Sequence, residues 1–311
     1  MKISVLMSTY NGEKYIEEQM DSLVNQTRAI DEIIMIDDCS TDGTVEIIRD
    51  YISKHCLGKR CKLYVNECNK GWRRNFIEGI QRTTGELLFF CDQDDIWFQN
   101  KIEIEAGILE DSDKISVVAS AETLWSGDGR EKEELLLSDV KCEILAMDSL
   151  KKYFINCSGC TMALKKSYAD KIMKYYATGW AHDDFFWKMG VMDRSFAFIQ
   201  GSTILHRIHG NNESRKKRNY KSTVEGVKLD ILICDRLTYY LNENQKSASG
   251  DSYQKTLEIL NHKQDGNRCR LKFLESKKLT LFWKIGISYS DLYRTRKQWI
   301  GDLFLAHGYR G

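Results

Sequence analysis

The chain has 311 residues, of which 42% are hydrophobic and 29% charged. That is enough apolar material for one large core or two smaller ones. A net charge of +1 gives no general argument for nucleic acid as a partner. No apolar run approaches the roughly 20 residues of a membrane-spanning helix, and the opening "MKISVLMSTY" is too short and too β-branched for a signal peptide.

Elements follow in alternation. "ISVLMS" (residues 3–8) is a short apolar run bounded by polar turn residues, as a buried strand requires. "GEKYIEEQMDSLVNQT" then puts Tyr15, Ile16, Met20, Leu23 and Val24 on one helical face. Residues 32–37, "EIIMID", are the second strand. "STDGTVEIIRDYISKH" opens with capping residues and carries Val45, Ile48 and Ile52 as its apolar stripe. "CKLYVN" and "ELLFFC" are further strands, each followed by a helical pattern ("GWRRNFIEGIQRT", "WFQNKIEIEAGILE"), and "KISVVASA" is a fifth strand. Strands alternating with helices predict an α/β fold with a mostly parallel sheet flanked by helices. In such sheets ligands bind at the carboxyl ends of the strands. Ser8-Thr9-Tyr10, Asp37-Asp38, Asn66 to Lys70 and Asp92-Gln93-Asp94-Asp95 all lie there.

Beyond residue 125 the pattern loosens. "SGDGREKEE" reads as a loop, "SGCTMALKK" as a strand, "HDDFFWKMGV" as a helix start and "SFAFIQGSTILHRIHGNN" as two strands. From about Tyr220 the pattern is helical, interrupted by "NQKSASGD" and "KQDGN". This predicts a catalytic domain over 1–212 and a basic helical C-terminal extension over 213–311. Residues 211–311 hold 20 Lys and Arg against 11 Asp and Glu, whereas 1–210 hold 26 against 34. A basic tail on an acidic body suggests an anionic membrane surface as partner, or a solvated helical appendage. In "KLTLFWKIGISYSDLYRTRKQW", Leu281, Phe282, Trp283, Ile285 and Ile287 form an apolar patch among Lys and Arg, either interfacial or packed back on the body. The ten cysteines carry no paired zinc pattern; they read as free thiols of a reducing cytoplasm.

The chemistry starts at "DQDD". Carboxylates this close cannot all ionise cheaply without a cation, and hard oxygen ligands suit Mg²⁺ or Mn²⁺ carrying substrate phosphates. The rival is a plain acidic turn. An EF-hand is excluded because Trp97 occupies the position that needs Gly. Asp38 can accept from a base or ribose, as acidic residues of dinucleotide folds do. No phosphate-cradling Gly-rich motif is present, so a diphosphate would rely on metal and on side chains such as Lys70, Arg73 or Arg74. His182-Asp183-Asp184 opens a helix, where an acid either complements the dipole or serves as general base. His206 and His209, three apart on a strand, should face opposite ways, and His209 could close over the site.

"VLMSTYNGEKYIEEQMDSLVNQT", "IIMIDDCSTDGT", "NKGWRRNFIEGI" and "FFCDQDDIWFQNK" together resemble the family 2 inverting glycosyltransferases of the GT-A (Rossmann-like) fold. "GCTMALKK", "HDDFFWK" and "HRIHGNN" extend the resemblance to about residue 212, and "DQDDIW" with the "HG-N" ending looks most like the bacterial rhamnosyltransferase-type branch. The resemblance implies transfer of a sugar, with rhamnose suggested, from a nucleotide-diphosphate donor to a hydroxyl of a glycan or lipid-linked acceptor, with Mn²⁺ or Mg²⁺ as cofactor, at the cytoplasmic face of the membrane in surface polysaccharide synthesis. It implies that Thr9, Tyr10, Glu13, Asp38, Lys70, Arg74, Asn75, Asp92 and Gln93 line the nucleotide sugar. Asp94 and Asp92, with His209, would serve the metal, and Asp183 would be the base, with Asp184 as the alternative because it stands where the branch usually has an aromatic. Ser8 replaces the branch's usual proline. A sugar nucleotidyltransferase and a non-catalytic sugar-nucleotide-binding relative are the alternatives.

Overall fold

A computed structural model describes residues 1–127, 139–210, 218–244 and 250–308. The predicted loop at "SGDGREKEE" falls mostly outside them, as do most of the "NQKSASGD" break and the two asparagines after Gly210. The chain forms two compact units. The first is Met1–Leu145, Ile155–Met173 and Ala181–His209; the second is Ala146–Phe154, Lys174–Trp180 and Gly210–Gly311.

The first unit holds every strand among the described residues. It begins β1 (Ile3–Thr9), α1 (Ile16–Val24), β2 (Glu32–Asp37), α2 (Thr44–Lys54), β3 (Cys61–Val65), α3 (Trp72–Gly79), β4 (Leu87–Asp92) and β5 (Ile96–Trp97). It continues with α4 (Lys101–Asp111), β6 (Val117–Trp125), β7 (Cys142–Leu145), β8 (Met162–Lys165), α6 (Lys166–Ile172), α7 (His182–Met192) and β9 (Phe196–Arg207); a short α5 (Leu150–Tyr153) belongs to the second unit. The sheet runs β3-β2-β1-β4-β8-β6-β9-β5, with β7 paired to β9. The pairs β3–β2, β2–β1 and β1–β4 are parallel, and β8 then enters antiparallel between β4 and β6. The half that carries the strand-end polar residues is therefore the parallel one. Its central strands are almost wholly buried, which is why they read as near-continuous apolar runs rather than as alternation.

Two local expectations are corrected. Trp97, read as the start of a helix, lies in the two-residue β5 against β9; no periodicity can reveal so short a strand. Residues 196–207, read as two strands, form one 12-residue strand whose register against β6 shifts near Ser120 and Ala121. Gly201 is absorbed within that irregular stretch.

The second unit is built from α8 (Tyr220–Glu243), α9 (Gly250–Ser276), α10 (Leu279–Ser288) and α11 (Arg296–Ala306). The expected break at "KQDGN" is absent, because α9 runs straight through it. Gly266 is there for packing: a Cβ on it would stand 3.0 Å from the Tyr289 ring and 3.1 Å from Leu292. No helix among the described residues is long and apolar enough to cross a membrane.

Candidate active site

In the parallel register Thr9 lies opposite Asp37, and Ser8 lies opposite Asp92. The first consequence is a rigid floor. The Thr9 hydroxyl donates to Asp37 Oδ2 at 2.8 Å, and Asp37 also accepts from the Ser40 N–H (2.8 Å) and hydroxyl (2.6 Å). Asn11 Oδ1 accepts from the Thr41 N–H at 2.8 Å, and Glu13 Oε2 accepts from the Gly43 N–H at 2.9 Å. These bonds fix the loops after β1 and β2. Asp38, buried, accepts from Asn66 Nδ2 (3.0 Å) and from the backbone N–H groups of Lys70 (2.8 Å) and Gly71 (2.7 Å). Gly71 sits at φ 85, a conformation that favours glycine, and so turns the chain into α3. Asn75 is buried, accepting from Asn66 (2.8 Å) and donating to the Ser8 hydroxyl (3.2 Å).

Gln93 clamps the Tyr10 backbone from both sides: its Oε1 accepts from the Tyr10 N–H at 2.8 Å, and its Nε2 donates to the Tyr10 carbonyl at 2.9 Å. Gly12 is needed beneath it, since a Cβ there would meet Gln93 Oε1 at 2.3 Å. The Tyr10 side chain is left exposed. Lys70 Nζ and Arg74 Nε both turn to Glu78, at 3.4 and 2.5 Å. The residues expected to line a nucleotide thus share one edge of the sheet, and most of them are pre-oriented by one another.

The acidic cluster differs in kind. Burial, followed by the charges of Asp95 and Asp94, holds the Asp92 carboxyl well above its ordinary range. Burial and Asp95 raise Asp94 as well, opposed by a 2.7 Å contact between Asp94 Oδ2 and His209 Nε2. Asp95 is 1% exposed; its Oδ1 accepts from the Arg207 N–H at 3.0 Å and faces His206 Nδ1 at 3.3 Å, while its Oδ2 is buried without a partner. Burial works against a charge on His206, but the Asp95 hydrogen bond and the Asp95, Glu122 and Asp92 charges outweigh it and raise the imidazole to about 9. Arg207 braces the group, donating to the Asp94 carbonyl (2.8 Å) and to Glu18 (2.5 Å) over the Tyr15 and Trp125 rings. The two histidines do meet different aspartates. The reason is not the alternation expected of a strand, because β9 ends at Arg207 and His209 lies past it.

Two carboxyls raised by burial and by neighbouring aspartates, an orphaned buried carboxylate oxygen and an adjacent imidazole form a donor set that fits a hard divalent cation such as Mn²⁺ or Mg²⁺.

Across from the cluster, α7 presents Asp183 and Asp184. Asp183 is near enough that its charge contributes to raising Asp92. The two acids are not equivalent. Asp184 Oδ1 is ion-paired with Lys188 one turn on. Asp183 Oδ1 accepts from the Asp184 N–H at 2.8 Å; burial raises its carboxyl, against the pull of that N–H, Lys188 and Arg73. Arg73, rather than Arg74, is therefore the arginine whose field reaches this carboxylate. His182 is a packing residue, its ring centroid 4.1 Å from Phe76 and 4.5 Å from Phe90, and burial with Arg73 lowers it to about 3. Arg207, His206 and Cys160, whose thiol lies 3.7 Å from His206 Nδ1, were not singled out from the sequence as site residues. The pairing of β5 with β9 brings His206 and Arg207 beside Asp95, and Cys160 reaches the same place from the turn before β8.

Comparisons with known proteins address the family and the fold. The sequence model described as "Glycosyl transferase family 2" matches residues 4–173. The putative glycosyltransferase EpsE of Bacillus subtilis (strain 168) is 25% identical over 246 residues, covering 78% of this chain and 85% of that protein. The poly(ribitol-phosphate) beta-N-acetylglucosaminyltransferase TarS of Staphylococcus aureus is 35% identical over 113 residues, which is 36% of this chain but 19% of TarS. The solved structure of TarS 1–349 in complex with UDP-GlcNAc matches with a TM-score of 0.62 at 18% identity, covering 95% of this chain and 93% of that one. The mannosyltransferase PcManGT from Pyrobaculum calidifontis, in complex with GDP-Man and Mn²⁺, matches at 0.54 and 14% identity over 98% and 86% of the two chains. At these identities the structural likeness establishes the fold, which is GT-A.

Proposed function

The chain belongs to glycosyl transferase family 2 and is a glycosyltransferase, and from that premise we propose that it moves a sugar from a nucleotide-diphosphate donor to an acceptor hydroxyl, with inversion and with a divalent cation. The observation that carries this reading is the contrast at the strand ends. The Asp92 and Asp94 carboxyls are held above their ordinary range and one Asp95 oxygen is buried without a hydrogen-bond partner, and a raised Asp183 lies within electrostatic range of Asp92.

Asp94, Asp92 and His209 would hold Mn²⁺ or Mg²⁺. When bound, the ion supplies Lewis-acid stabilisation of charge on the departing diphosphate. Tyr10, with Thr9, Glu13, Asp38, Asn75 and Gln93 shaping the floor, receives base and ribose, and Lys70 and Arg74 add positive charge nearby. Asp183 takes the proton from the acceptor hydroxyl. Its raised carboxyl is the more basic choice, whereas Asp184 is already committed to Lys188. The nucleotides named with the two solved neighbours make UDP and GDP sugars the first donors to test. Rhamnose remains the sugar suggested by "DQDDIW" and the "HG-N" ending. A glycan or lipid-linked acceptor, reached from the cytoplasm during bacterial surface polysaccharide synthesis, completes the reading.

The test is a thermal-shift screen of nucleoside diphosphates and their sugars with and without Mn²⁺, followed by turnover of the best donor. We expect a metal-dependent shift with one nucleotide and turnover lowered about 10²–10⁴-fold by Asp183→Asn. A donor turned over equally well with and without a chelator, or full activity in Asp183→Asn, would overturn the reading.

A further inference from the structure

The tail patch of Leu281, Phe282, Trp283, Ile285 and Ile287 divides into two faces of α10. Phe282 and Ile285 are buried in the second unit's own core. The Phe282 ring stacks on Trp299 of α11, with centroids 4.4 Å apart and planes 9° apart, and Trp299 Nε1 donates to the Phe282 carbonyl at 3.3 Å. Gly286 lets the indole close in; a Cβ there would stand 2.4 Å from it. α10 is therefore anchored along one side.

Its other side is apolar and largely exposed, although the Trp283 ring meets Trp299 edge-on with centroids 6.0 Å apart. Leu279, Trp283 and Ile287, at i, i+4 and i+8, are 53%, 58% and 81% exposed, and Ile300 and Phe304, at i and i+4 of α11, are exposed too. Among the described residues 13 large hydrophobic side chains are exposed, and five of them fall within these 26 residues, so this is a concentration rather than the usual scatter. An open apolar hollow of about 230 Å³, lined by Leu279, Leu303, Phe304 and His307, joins the two helices.

The charge around the face is one-sided. Residues 277–308 contain six Lys and Arg (Lys277, Lys278, Lys284, Arg294, Arg296, Lys297), all exposed, and two acids. Asp302 is buried against Arg218 and Arg270, and Asp291 meets His262 at 2.9 Å.

We propose that this face is a docking surface for an anionic lipid bilayer, with Trp283, Ile287, Leu279 and Phe304 entering the headgroup region and the surrounding Lys and Arg meeting acidic headgroups. A tryptophan at the centre of such a face suits the membrane interface, where its ring is half apolar and half wet. A second copy of the chain fits less well, because joining two like faces would bring the exposed Lys and Arg of the two helical units together. The inference stands on the helical unit alone and does not depend on which donor the first unit takes.

The experiment is co-sedimentation of the full chain with phosphatidylcholine vesicles containing 30% phosphatidylglycerol, against pure phosphatidylcholine, at about 0.1 M salt, with thermal melts confirming that each variant is folded. We expect binding to the anionic vesicles. Replacing Lys277, Lys278 and Lys284 together by Gln should lower partitioning about a hundredfold. Trp283→Ser with Ile287→Ser should lower it at least tenfold. Glycosyl transfer to a soluble acceptor should be unchanged in both. Equal affinity for neutral and anionic vesicles, no binding, or indifference to Trp283→Ser and Ile287→Ser would overturn the proposal. So would a concentration-dependent dimer that those two substitutions dissolve.

Discussion

Asp302 and Asp94 are both carboxylates drawn out of water, and their surroundings are opposite. Asp302 in the helical unit accepts from Arg218 (2.8 Å), Arg270 (2.6 and 3.1 Å) and the Tyr293 hydroxyl (2.8 Å). Asp94 at the sheet edge has His209 and two neighbouring aspartates, and its carboxyl is held above its ordinary range by burial and Asp95. A protein able to neutralise one buried acid so completely has left a group of others undersupplied. The same division recurs one residue apart in α7, where Asp184 has Lys188 and Asp183 does not share that ion pair. The oversupplied acids hold the fold together; the undersupplied ones have capacity left for a cation or a proton.

The comparison breaks most visibly at Asp183 and Asp184. Asp183→Asn is expected to lower kcat by about 10²–10⁴, the usual contribution of a positioned base, with little change in Tm. Asp184→Asn should remove the ion pair of the buried Lys188 with Asp184 and so lower Tm more than kcat per folded molecule. Steady-state kinetics alongside thermal melts decide this, and the reverse pattern would exchange the two roles. Asp302→Ala comes next: stranding Arg270 should cost about 3–5 kcal/mol of stability by denaturant unfolding, while specific activity of the folded fraction is retained.

Smaller and opposite in sign is Asp94→Asn in metal-free protein. Because the folded carboxyl is raised, its ionisation costs stability above the unfolded value, and that cost disappears as the pH falls and the group protonates. Tm near pH 7 should therefore equal or exceed that of the wild type, with the gain shrinking on acidification, even as activity is lost. By the same direction of shift at Asp183, the acid limb of kcat/KM should lie above the ordinary aspartate value of about 3.9. The smallest effect belongs to a partly exposed pair, Arg28 and Glu110. The Arg28 hydrogen bonds, helped by the N-terminal amine, hold Glu110 down at about 2. Its contribution is present above the unfolded value of 4.5 and is lost as pH falls toward 2. Glu110→Gln should cost at most about 1 kcal/mol at neutral pH, and less in high salt.

Much of this was legible in the residues. The alternation through residue 111 placed β1 to β4 to within a residue, because the central parallel strands are apolar runs ended by polar turn residues, whereas α1, α2 and α4 begin four residues later than their patterns and β5 was read as helix. The strand-end rule then gathered Thr9, Asp38 and Asp92 to Asp95 along one edge. What stayed hidden depends on pairing at a distance. That β8 inserts antiparallel, that β9 is one strand, and that His206 and Arg207 close on Asp95 cannot be read from local periodicity. The tail patch was visible as composition, but only the packing of Phe282 on Trp299 separates its buried face from its exposed one.

The most direct test of the central claim is calorimetric titration of Mn²⁺ into wild-type and Asp94→Asn protein, each with the nucleoside diphosphate that the thermal-shift screen selects. The account predicts saturable Mn²⁺ binding that tightens with the nucleotide in the wild type and is lost in the variant while the fold stays intact. Equal Mn²⁺ affinity in both proteins, or nucleotide binding indifferent to the metal, would contradict it.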